Sequence, residues 1–332
     1  MSLLQVKNLV VEFSSRHGVL RALDGISFDI APGEILGVVG ESGAGKSLTG
    51  ASIIGLLEPP GRIASGEIVL QGQRIDQLNN DQMRSIRGRK IGAIFQDPLT
   101  SLNPLYSVGK QLVETIQAHL PLSDAEARQR AIGLLEDTGI PAAAERIDHF
   151  PHQFSGGMRQ RVVIALALAA EPQLIVADEP TTALDVSIQA QIISLLKNIC
   201  KQRGAAVMLI THDMGVIAET CDRVAVMYAG RIVEVGPVQQ VIHKPAHPYT
   251  AGLMASIPDM SVDRERLNQI DGAMPRLNAI PKGCAFNPRC PQVLERCRHE
   301  RPELIQGVQL QNQLPTQVAC WLTSTPQTEG RL

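Results

Sequence analysis

The sequence predicts an α/β fold in which helices cover both faces of a parallel sheet. Short apolar runs such as Leu174–Ala177 and Ala205–Ile210 alternate with helical segments such as Ile188–Arg203. That alternation is typical of parallel sheets. A glycine-rich loop also follows the apolar strand Glu34–Val39 and leads directly into a helical segment. This strand–loop–helix order is found where a helix N-terminus binds phosphate.

The glycine-rich loop matches the phosphate-binding pattern Gly-x4-Gly-Lys-Ser in full. Its glycines let backbone N–H groups point at the β-phosphate, its lysine places a cation between the β- and γ-phosphates, and its serine hydroxyl binds Mg²⁺. We therefore predict a nucleoside triphosphate site with Mg²⁺. The predicted contacts are Gly40, Glu41, Ser42, Gly43, Ala44, Gly45, Lys46, Ser47 and Leu48.

Two carboxylates follow the apolar strand Leu174–Ala177. Asp178 stands at the strand tip, where it can hold Mg²⁺ through water. Glu179 comes one residue later, where it can accept a proton from the attacking water. Phosphoryl transfer depends on positioning and charge neutralisation more than on covalent chemistry, so one base and one metal suffice. Without the phosphate loop, ordinary surface acids at a strand end would be the default interpretation.

Two further polar residues follow predicted strands. Gln96 follows Ile91–Phe95 and is predicted to reach Mg²⁺ or the attacking water. His212 follows Ala205–Ile210 and is predicted to contact the γ-phosphate. Ligands bind at the carboxyl ends of strands in open α/β sheets, so we expect both side chains at the edge that carries Glu179.

The segment Phe154–Arg161 begins a helix with Ser-Gly-Gly. Ser155 is predicted to be the N-cap. Gly156 and Gly157 give up helix propensity at about 1 kcal/mol each, which an ordinary cap does not explain. Bare glycines would let a phosphate approach the positive end of the helix.

The order of these motifs resembles the nucleotide-binding subunit of an ABC transporter, over about residues 3–240. The resemblance implies a P-loop NTPase fold with a mixed sheet core, an antiparallel β subdomain and a helical signature subdomain at about residues 104–170. These parts occupy residues 1–243. It also implies hydrolysis of ATP by two subunits that close on the nucleotide.

The resemblance assigns roles to individual residues. Gln96 belongs to the Q-loop, Thr182–Asp185 form the D-loop at the dimer interface, and His212 is the switch histidine. Ser155, Gly156 and Gly157 are implied to bind the ATP of the partner subunit.

Two positions depart from the family signature Leu-Ser-Gly-Gly-Gln, because Phe154 replaces the leucine and Met158 replaces the glutamine. The glycines remain, so the phosphate contact is still expected, whereas the contact of the glutamine side chain is lost. The family also has an adenine-stacking aromatic residue, which falls near residues 13–21. Phe13 is the candidate.

Three segments resemble one subfamily, the importer ATPases for dipeptides and oligopeptides. They are Phe95–Pro104, His243–Thr250 and Asn287–Pro291. The resemblance implies a C-terminal extension at residues 244–332 and import of di- or oligopeptides. Its implied partners are a second, homologous ATPase in a heterodimer, two integral-membrane permeases and an extracytoplasmic solute-binding protein. A nickel chelate, an opine or a modified peptide are alternative cargoes that the sequence leaves open.

His243 and His247 lie four residues apart in the extension, which is a spacing that could suit a metal pair on a helix. Pro245 and Pro248 disfavour a helix there, so we assign both histidines a structural role.

Four of the six cysteines cluster near the C-terminus, at Cys284, Cys290, Cys297 and Cys320. In a reducing compartment such a cluster suggests metal rather than disulfides. The gaps are wider than the short Cys-x2-4-Cys pairs of zinc sites, and iron–sulfur ligands vary more in spacing. Some members of the subfamily carry a [4Fe–4S] cluster here. We favour that cluster, then Zn²⁺, then buried thiols.

Composition argues against nucleic-acid binding and against a membrane-spanning helix. Aromatic residues make up 3% of the 332 residues and the net charge is −2, which argues against a nucleic-acid surface. The longest apolar run has nine residues, against about 20 for a membrane-spanning helix. The N-terminus reads as a strand rather than a secretory signal. We expect a peripheral protein on the cytoplasmic face of the inner membrane, held there by partners.

Two rival functions are less well supported by the sequence. A soluble ABC ATPase of DNA repair or translation usually carries two cassettes, a long coiled coil or a zinc module, and this chain shows one cassette without those insertions. A metal-sensing regulator with a vestigial ATPase would not be expected to keep Lys46, Asp178 and Glu179.

Overall fold

The strands of the protein fall into two sheets. The computed structural model describes residues 2–16, 18–182, 184–256, 269–306 and 316–323. Within them the strands are β1 (Leu4–Ser15), β2 (Gly18–Ile30), β3 (Ile35–Val39), β4 (Gly61–Leu70), β5 (Gln73–Arg74), β6 (Ile91–Ile94), β7 (Leu174–Asp178), β8 (Ala206–Ile210), β9 (Arg223–Tyr228), β10 (Arg231–Pro237), β11 (Ile305–Gln306) and β12 (Gln317–Val318).

The larger sheet has the strand order β11-β12-β10-β9-β3-β8-β7-β6. Five adjacent strands run parallel to one another, in the order β9, β3, β8, β7 and β6. The pairs β9–β10, β10–β12 and β12–β11 are antiparallel. The smaller sheet, β2-β1-β4-β5, is antiparallel throughout. The predicted mixed core with an antiparallel subdomain is confirmed.

Helices surround the larger sheet and form a block between β6 and β7. Within the described residues they are α1 (Lys46–Ile53), α2 (Asn80–Arg84), α3 (Pro98–Ser101), α4 (Val108–His119), α5 (Asp124–Asp137), α6 (Ala143–Arg146), α7 (Gly156–Leu168), α8 (Val186–Arg203), α9 (Met214–Thr220), α10 (Val238–His243), α11 (Pro248–Ala255) and α12 (Glu295–His299). Short 3-10 turns occur at Pro151–Gln153 and Asn287–Arg289.

Local sequence explains where several helices begin and end. Helix α5 begins with a capping box, in which Ser123 and Glu126 satisfy each other's backbone N–H groups, as expected from Ser-x-x-Glu. Helix α8 ends at Gly204, whose φ of 67° is the left-handed conformation that glycine adopts without strain. Helices α4 and α5 end at His119 and Asp137, shortly before Pro121 and Pro141, since proline does not continue a helix.

The larger sheet is buried on both faces. In β7, Leu174 and Val176 belong to the apolar cluster that also contains the smaller sheet. Ile175 and Ala177 belong to the cluster that contains the helical block. Successive side chains of a strand point to opposite faces, so this division confirms the predicted covered sheet.

Strand β4 differs from the sequence-based expectation. The prediction places a strand at Glu67–Leu70, whereas β4 begins at Gly61. The first half of β4 pairs with the end of β1, where Gly61 lies opposite Phe13. The turn signal Pro59-Pro60-Gly61 hides this extension, because the pairing depends on β1 and not on local sequence.

The C-terminal extension joins the larger sheet at its antiparallel side. Strand β12 pairs with β10, and β11 pairs with β12. Residues 257–268, 307–315 and 324–332 of the predicted extension lie outside the described residues, and the boundary at 243/244 stays a prediction. Within the described residues, no helix has both the length and the apolar character needed to cross a membrane.

Candidate nucleotide site

The predicted catalytic residues meet at one edge of the larger sheet. Strands β3, β8, β7 and β6 are parallel and adjacent, so their carboxyl ends share an edge. A cavity of about 690 Å³ opens there, which we call the nucleotide cavity. Its lining includes Ser42, Gly43, Gly45, Lys46, Ser47, Leu48, Gln96, Glu179 and His212.

The phosphate loop requires glycine for steric reasons at two positions. At Gly40, φ is 152° and a Cβ would clash with the carbonyl oxygen of Met227. At Gly45, φ is 102° and a Cβ would lie 2.7 Å from a methyl group of Leu23. The loop is therefore packed tightly between β2 and the end of β9.

Lys46 is fixed by the loop that precedes it. Its Nζ donates to the carbonyl oxygens of Gly40 (2.9 Å) and Glu41 (3.2 Å). An ammonium group has three donors, so a third remains for a phosphate oxygen. Burial lowers the pKa of Lys46, while the nearby Glu179 and Asp178 carboxylates act to raise it.

Ser47 and Asp178 form an oxygen pair that suits Mg²⁺. The Ser47 hydroxyl donates to Asp178 Oδ1 at 3.0 Å. Burial raises the pKa of Asp178, more than the Ser47 hydrogen bond lowers it, so this carboxylate would gain from a nearby cation. Mg²⁺ is commonly bound by one or two carboxylates together with substrate phosphates, and this donor set fits it.

Three side chains hold Glu179 in place. Gln96 Nε2 donates to Glu179 Oε2 at 3.1 Å, and Thr182 Oγ1 donates to the same oxygen at 2.8 Å. His212 Nδ1 lies 3.4 Å from Oε1. Glu179 also has a φ of 45°, and residues held in such conformations often lie at functional sites, at a cost of about 1–3 kcal/mol. The carboxylate is thereby aimed at the cavity.

The Ser-Gly-Gly segment does not line the nucleotide cavity of its own chain. Ser155 is the N-cap of α7, as predicted, and its Oγ accepts the N–H of Met158 at 3.3 Å. None of Ser155, Gly156 and Gly157 is among the residues that line the nucleotide cavity. A Cβ at Gly156 would meet its nearest atom at an ordinary 3.6 Å. The packing of this chain therefore does not require glycine at position 156.

Phe13 lines a neighbouring cavity rather than the nucleotide cavity. That neighbour, of about 290 Å³, also contains Ser47 and Leu48, so the two cavities meet at the phosphate loop. The ring of Phe13 lies against the backbone of Gly61. Its assignment to adenine stays a prediction.

Similar proteins were found by sequence and by structure. A family profile described as ABC transporter matches residues 23–182, and one described as oligopeptide/dipeptide transporter, C-terminal region, matches residues 233–297. The dipeptide transport ATP-binding protein DppD of Escherichia coli (strain K12) is 46% identical over 304 residues, covering 92% of this chain and 93% of DppD. The chain belongs to the ABC transporter family.

Further relatives agree with this assignment. The oligopeptide transport ATP-binding protein OppD of Bacillus subtilis (strain 168) is 51% identical over 286 residues, covering 86% of this chain and 80% of OppD. A dimeric ATP-binding cassette, MJ0796, solved in a post-hydrolysis state bound to ADP and Pi, is 30% identical with a TM-score of 0.64, covering 71% of this chain and 98% of that one. This ABC subunit therefore binds and hydrolyses ATP.

Sequence reasoning missed four contributions to the nucleotide site of this ABC subunit. Thr182, known only as part of the D-loop, holds Glu179. Tyr249 and Arg289, from the extension, both bind Glu41 of the phosphate loop. Residues 274–277, also from the extension, line the nucleotide cavity. Tyr249 and Arg289 stand in two of the segments already noted as subfamily motifs, but no local pattern shows that their partner is Glu41.

The His-Pro-Tyr-Thr segment of this ABC subunit is structural at its histidine, as predicted. His247 is 1% exposed, and its Nδ1 accepts the N–H of Tyr249 at 3.0 Å, which caps α11. Glu234 of β10 accepts the N–H groups of Ala246 and His247 at 2.8 and 3.0 Å. These contacts fasten the start of the extension to the larger sheet.

The four C-terminal cysteines line one small cavity, of about 10 Å³, which we call the thiol cavity. Each pair among them is close enough to interact electrostatically. Backbone N–H groups two residues further along donate to the sulfurs of Cys284, Cys290 and Cys320. None of these four cysteines forms a disulfide, and neither do the buried Cys200 and Cys221. Within the described residues, no three His, Cys, Asp or Glu side chains are grouped tightly enough to hold a single metal ion.

Proposed function

We propose that this ABC subunit powers the uptake of di- or oligopeptides through partner permeases. The observation that carries the proposal is the match of residues 233–297 to the C-terminal region of oligopeptide and dipeptide transporters. Relatives named for dipeptide and oligopeptide transport support it over most of the chain. We divide the chain into an ABC ATPase domain, residues 1–243, and a peptide-importer extension, residues 244–332.

Glu179 is the general base in the proposed hydrolysis. Gln96 and Thr182 orient its carboxylate, and His212 stands on the other oxygen, where it can also contact the γ-phosphate. Lys46 and the loop amides bind the phosphates. Ser47 and Asp178, with Gln96 nearby, would hold Mg²⁺, which would supply charge neutralisation. A positioned base of this kind contributes roughly 10²- to 10⁴-fold to the rate.

The Ser-Gly-Gly segment serves the ATP of a second, homologous ABC ATPase subunit, in a heterodimer. Two observations support this role. The segment is absent from the lining of the chain's own nucleotide cavity, and Gly156 has room for a side chain within its own subunit. A glycine that the chain itself does not need is explained if a partner's nucleotide approaches it closely.

Exposed apolar side chains beside the Q-loop support docking to permeases. Phe95, Leu105 and Tyr106 are 45%, 79% and 40% exposed, and all three lie near Gln96 in the sequence. Together with the helical block they would bind a cytoplasmic segment of the permease. The subunit would then be a peripheral protein on the cytoplasmic face of the inner membrane, and a solute-binding protein would deliver the peptide.

The thiol cavity would hold a [4Fe–4S] cluster with a structural role. Four thiols around one cavity match the four thiolates that such a cluster requires. Backbone N–H groups donating to three of the sulfurs suit thiolate ligands, since hydrogen bonds to sulfur tune these clusters.

Reconstitution tests the proposed cargo. The subunit, its permeases and the solute-binding protein would be placed in lipid vesicles, and ATP hydrolysis would be measured with dipeptides, longer peptides or a nickel chelate. We expect peptides alone to stimulate hydrolysis. Stimulation by the nickel chelate, an opine or a modified peptide instead would assign the same machinery to another small solute. Co-purification with ribosomes or DNA in place of permeases would favour a soluble ABC ATPase.

Substitution tests the base and the pairing in the same vesicles. Glu179→Gln should abolish hydrolysis and trap a closed, ATP-bound pair of subunits, detected by size-exclusion chromatography of the detergent-solubilised complex. Exposed Glu145 on α6 offers the matched control Glu145→Gln. Full ATPase activity in the Glu179→Gln complex would remove Glu179 as the base.

Metal analysis tests the thiol cavity. Protein purified without oxygen should be brown, with iron and acid-labile sulfide, and Cys290→Ser should lose both. The buried thiol Cys200 serves as control, since Cys200→Ser should keep the iron. A colourless protein that contains zinc would indicate that the cavity binds Zn²⁺ instead of the cluster. A metal-free protein would indicate that the four cysteines are buried thiols.

A further inference from the structure

Glu41 of the phosphate loop forms hydrogen bonds with both Arg289 and Tyr249 of the extension. Its carboxylate accepts two hydrogen bonds from Arg289, at 2.9 Å from Nη1 and 3.0 Å from Nη2. Its backbone N–H donates to the Tyr249 hydroxyl at 2.9 Å. Its carbonyl oxygen accepts from Lys46 Nζ at 3.2 Å. Every polar group of Glu41 is thus engaged, and one of them bears directly on the lysine that faces the phosphates.

Arg289 is the centre of this arrangement. Its side chain is only 8% exposed, although a guanidinium is rarely buried without a partner. Besides Glu41 it donates to the carbonyl oxygens of Asp271 (2.8 Å), Ile270 (3.2 Å) and Gly272 (3.3 Å). The forked, bidentate contact with a carboxylate depends on the planar shape of arginine, which lysine does not share.

The carbonyl contacts of Arg289 lead into the nucleotide cavity. Residues 270–272 are separated by one residue from Met274–Leu277, which line that cavity together with Lys46 and His212. The Cγ of Met274 lies 3.9 Å from where a Cβ of Gly43 would be. One side chain therefore connects the phosphate loop with the extension segment that lies across the cavity.

We propose that Arg289 is a positioning residue for ATP binding, acting on the phosphate loop and Lys46 through Glu41 and placing residues 274–277 along the cavity. Tyr249 supports the same loop from the other side of Glu41. The inference concerns nucleotide binding by a single subunit, so it stands or falls independently of the cargo and of the thiol cavity.

The test measures nucleotide affinity of the full-length chain with a fluorescent ATP analogue, and then KM and kcat for ATP in the assembled transporter. Arg289→Gln should weaken binding at least about fivefold, within the range usual for coupled sites, and raise KM with little change in kcat. Glu41→Gln should do the same. Arg289→Lys, which keeps the charge without the fork, should fall between Arg289→Gln and the unaltered chain.

A double-mutant cycle distinguishes this path from two unrelated effects. Glu41→Gln combined with Arg289→Gln should lose little more affinity than either single change, because both break the same contact. If the losses multiply, the proposed connection is wrong. Arg298, an exposed arginine of α12 paired with Glu295, gives the control Arg298→Gln. Equal loss in that variant would show a general charge effect and contradict the proposal.

Tyr249→Phe keeps the proposal testable if Arg289 variants do not fold. It removes only the hydroxyl that accepts the Glu41 N–H, and the ring packing remains. We expect a roughly two- to tenfold loss of ATP affinity, as for one hydrogen bond, with an unchanged circular dichroism spectrum. Unaltered affinity in a folded Arg289→Gln, or in Tyr249→Phe where no Arg289 variant folds, would overturn the inference.

Discussion

The nucleotide cavity and the C-terminal extension are built from different kinds of interaction. The cavity is lined in part by charged and polar side chains at four strand ends, and His212 is 64% exposed there. In the extension, Tyr249 and Phe286 pack edge-on against Tyr228 of β9 and at a tilt against each other. The ring centroids of this aromatic cluster are 4.7–5.4 Å apart. All three rings are at most 2% exposed.

The difference predicts that the aromatic cluster of the extension contributes mainly to stability and the nucleotide cavity mainly to ATP binding. Polar groups at an open cavity contribute modestly to folding, whereas buried aromatic rings dominate packing energies. We therefore expect changes in the aromatic cluster to act on stability and changes in the cavity to act on binding. The predictions below test that division, beginning with the largest expected effect.

Removing the Phe286 ring should destabilise the extension most. Phe286→Ala deletes a ring that contacts both Tyr228 and Tyr249, and such core changes cost about 3–5 kcal/mol. Thermal unfolding followed by circular dichroism would measure the loss. Phe150 is 38% exposed, so Phe150→Ala should cost much less. Similar losses in the two variants would contradict a packed aromatic cluster.

Removing the Lys46 ammonium should act on nucleotide binding instead. Lys46→Ala removes a charged donor to the phosphates, and bonds of that kind contribute about 1.5–3 kcal/mol, so the affinity for ATP should fall up to roughly a hundredfold. Calorimetric titration with ATP and Mg²⁺ would measure it. Lys201, exposed on α8, supplies the control Lys201→Ala. If Lys46→Ala lowered the melting temperature but left ATP affinity unchanged, the division would fail.

Substitution of Ser155 should affect both the stability of the subunit and its ATPase activity. Ser155→Ala removes the cap of α7 at a cost of about 1 kcal/mol, whereas Ser155→Gly costs only a few tenths. If the hydroxyl also serves the partner's ATP, both variants should lose ATPase activity in the assembled transporter. Melting curves and ATPase assays compared side by side would measure this. Normal ATPase activity with Ser155→Gly would show that Ser155 acts only as a helix cap.

Gly156 should give the smallest effect on stability. Gly156→Ala has room in its own chain and should leave the melting temperature unchanged or raise stability by at most about 1 kcal/mol. In the assembled transporter it should lower ATP hydrolysis. Gly133, inside α5 with no atom within 4 Å of an added Cβ, is the matched control. Gly133→Ala should gain stability without loss of activity, and equal behaviour of the two would argue against a partner at Gly156.

Much of the site was predictable because each part of it is encoded locally. The loop around Lys46 carries its own motif, and Gln96, Glu179 and His212 each follow an apolar strand. Parallel strands bring such ends to one edge, so the order of motifs along the chain was enough to predict their meeting. The early start of β4 was not predictable in this way, since its pairing with β1 leaves no local signal.

The extension was less predictable because its contacts are not local. Tyr249 and Arg289 could be noticed as members of short motifs, yet Arg289 lies 248 positions from Glu41. No periodicity or spacing records an ion pair over that distance. The irregular gaps between the cysteines likewise did not show that all four line one cavity.

Sequence patterns were enough to predict ATP binding on a parallel sheet and a helix that begins with Ser-Gly-Gly, because glycine, lysine and carboxylate motifs act through the backbone next to them. The folded chain was needed to show that Thr182 helps to hold Glu179, and that Arg289 and Tyr249 bind Glu41. It also places the Ser-Gly-Gly segment away from the chain's own nucleotide cavity. Contacts between distant residues depend on how sheets and loops pack, and local sequence does not specify that packing.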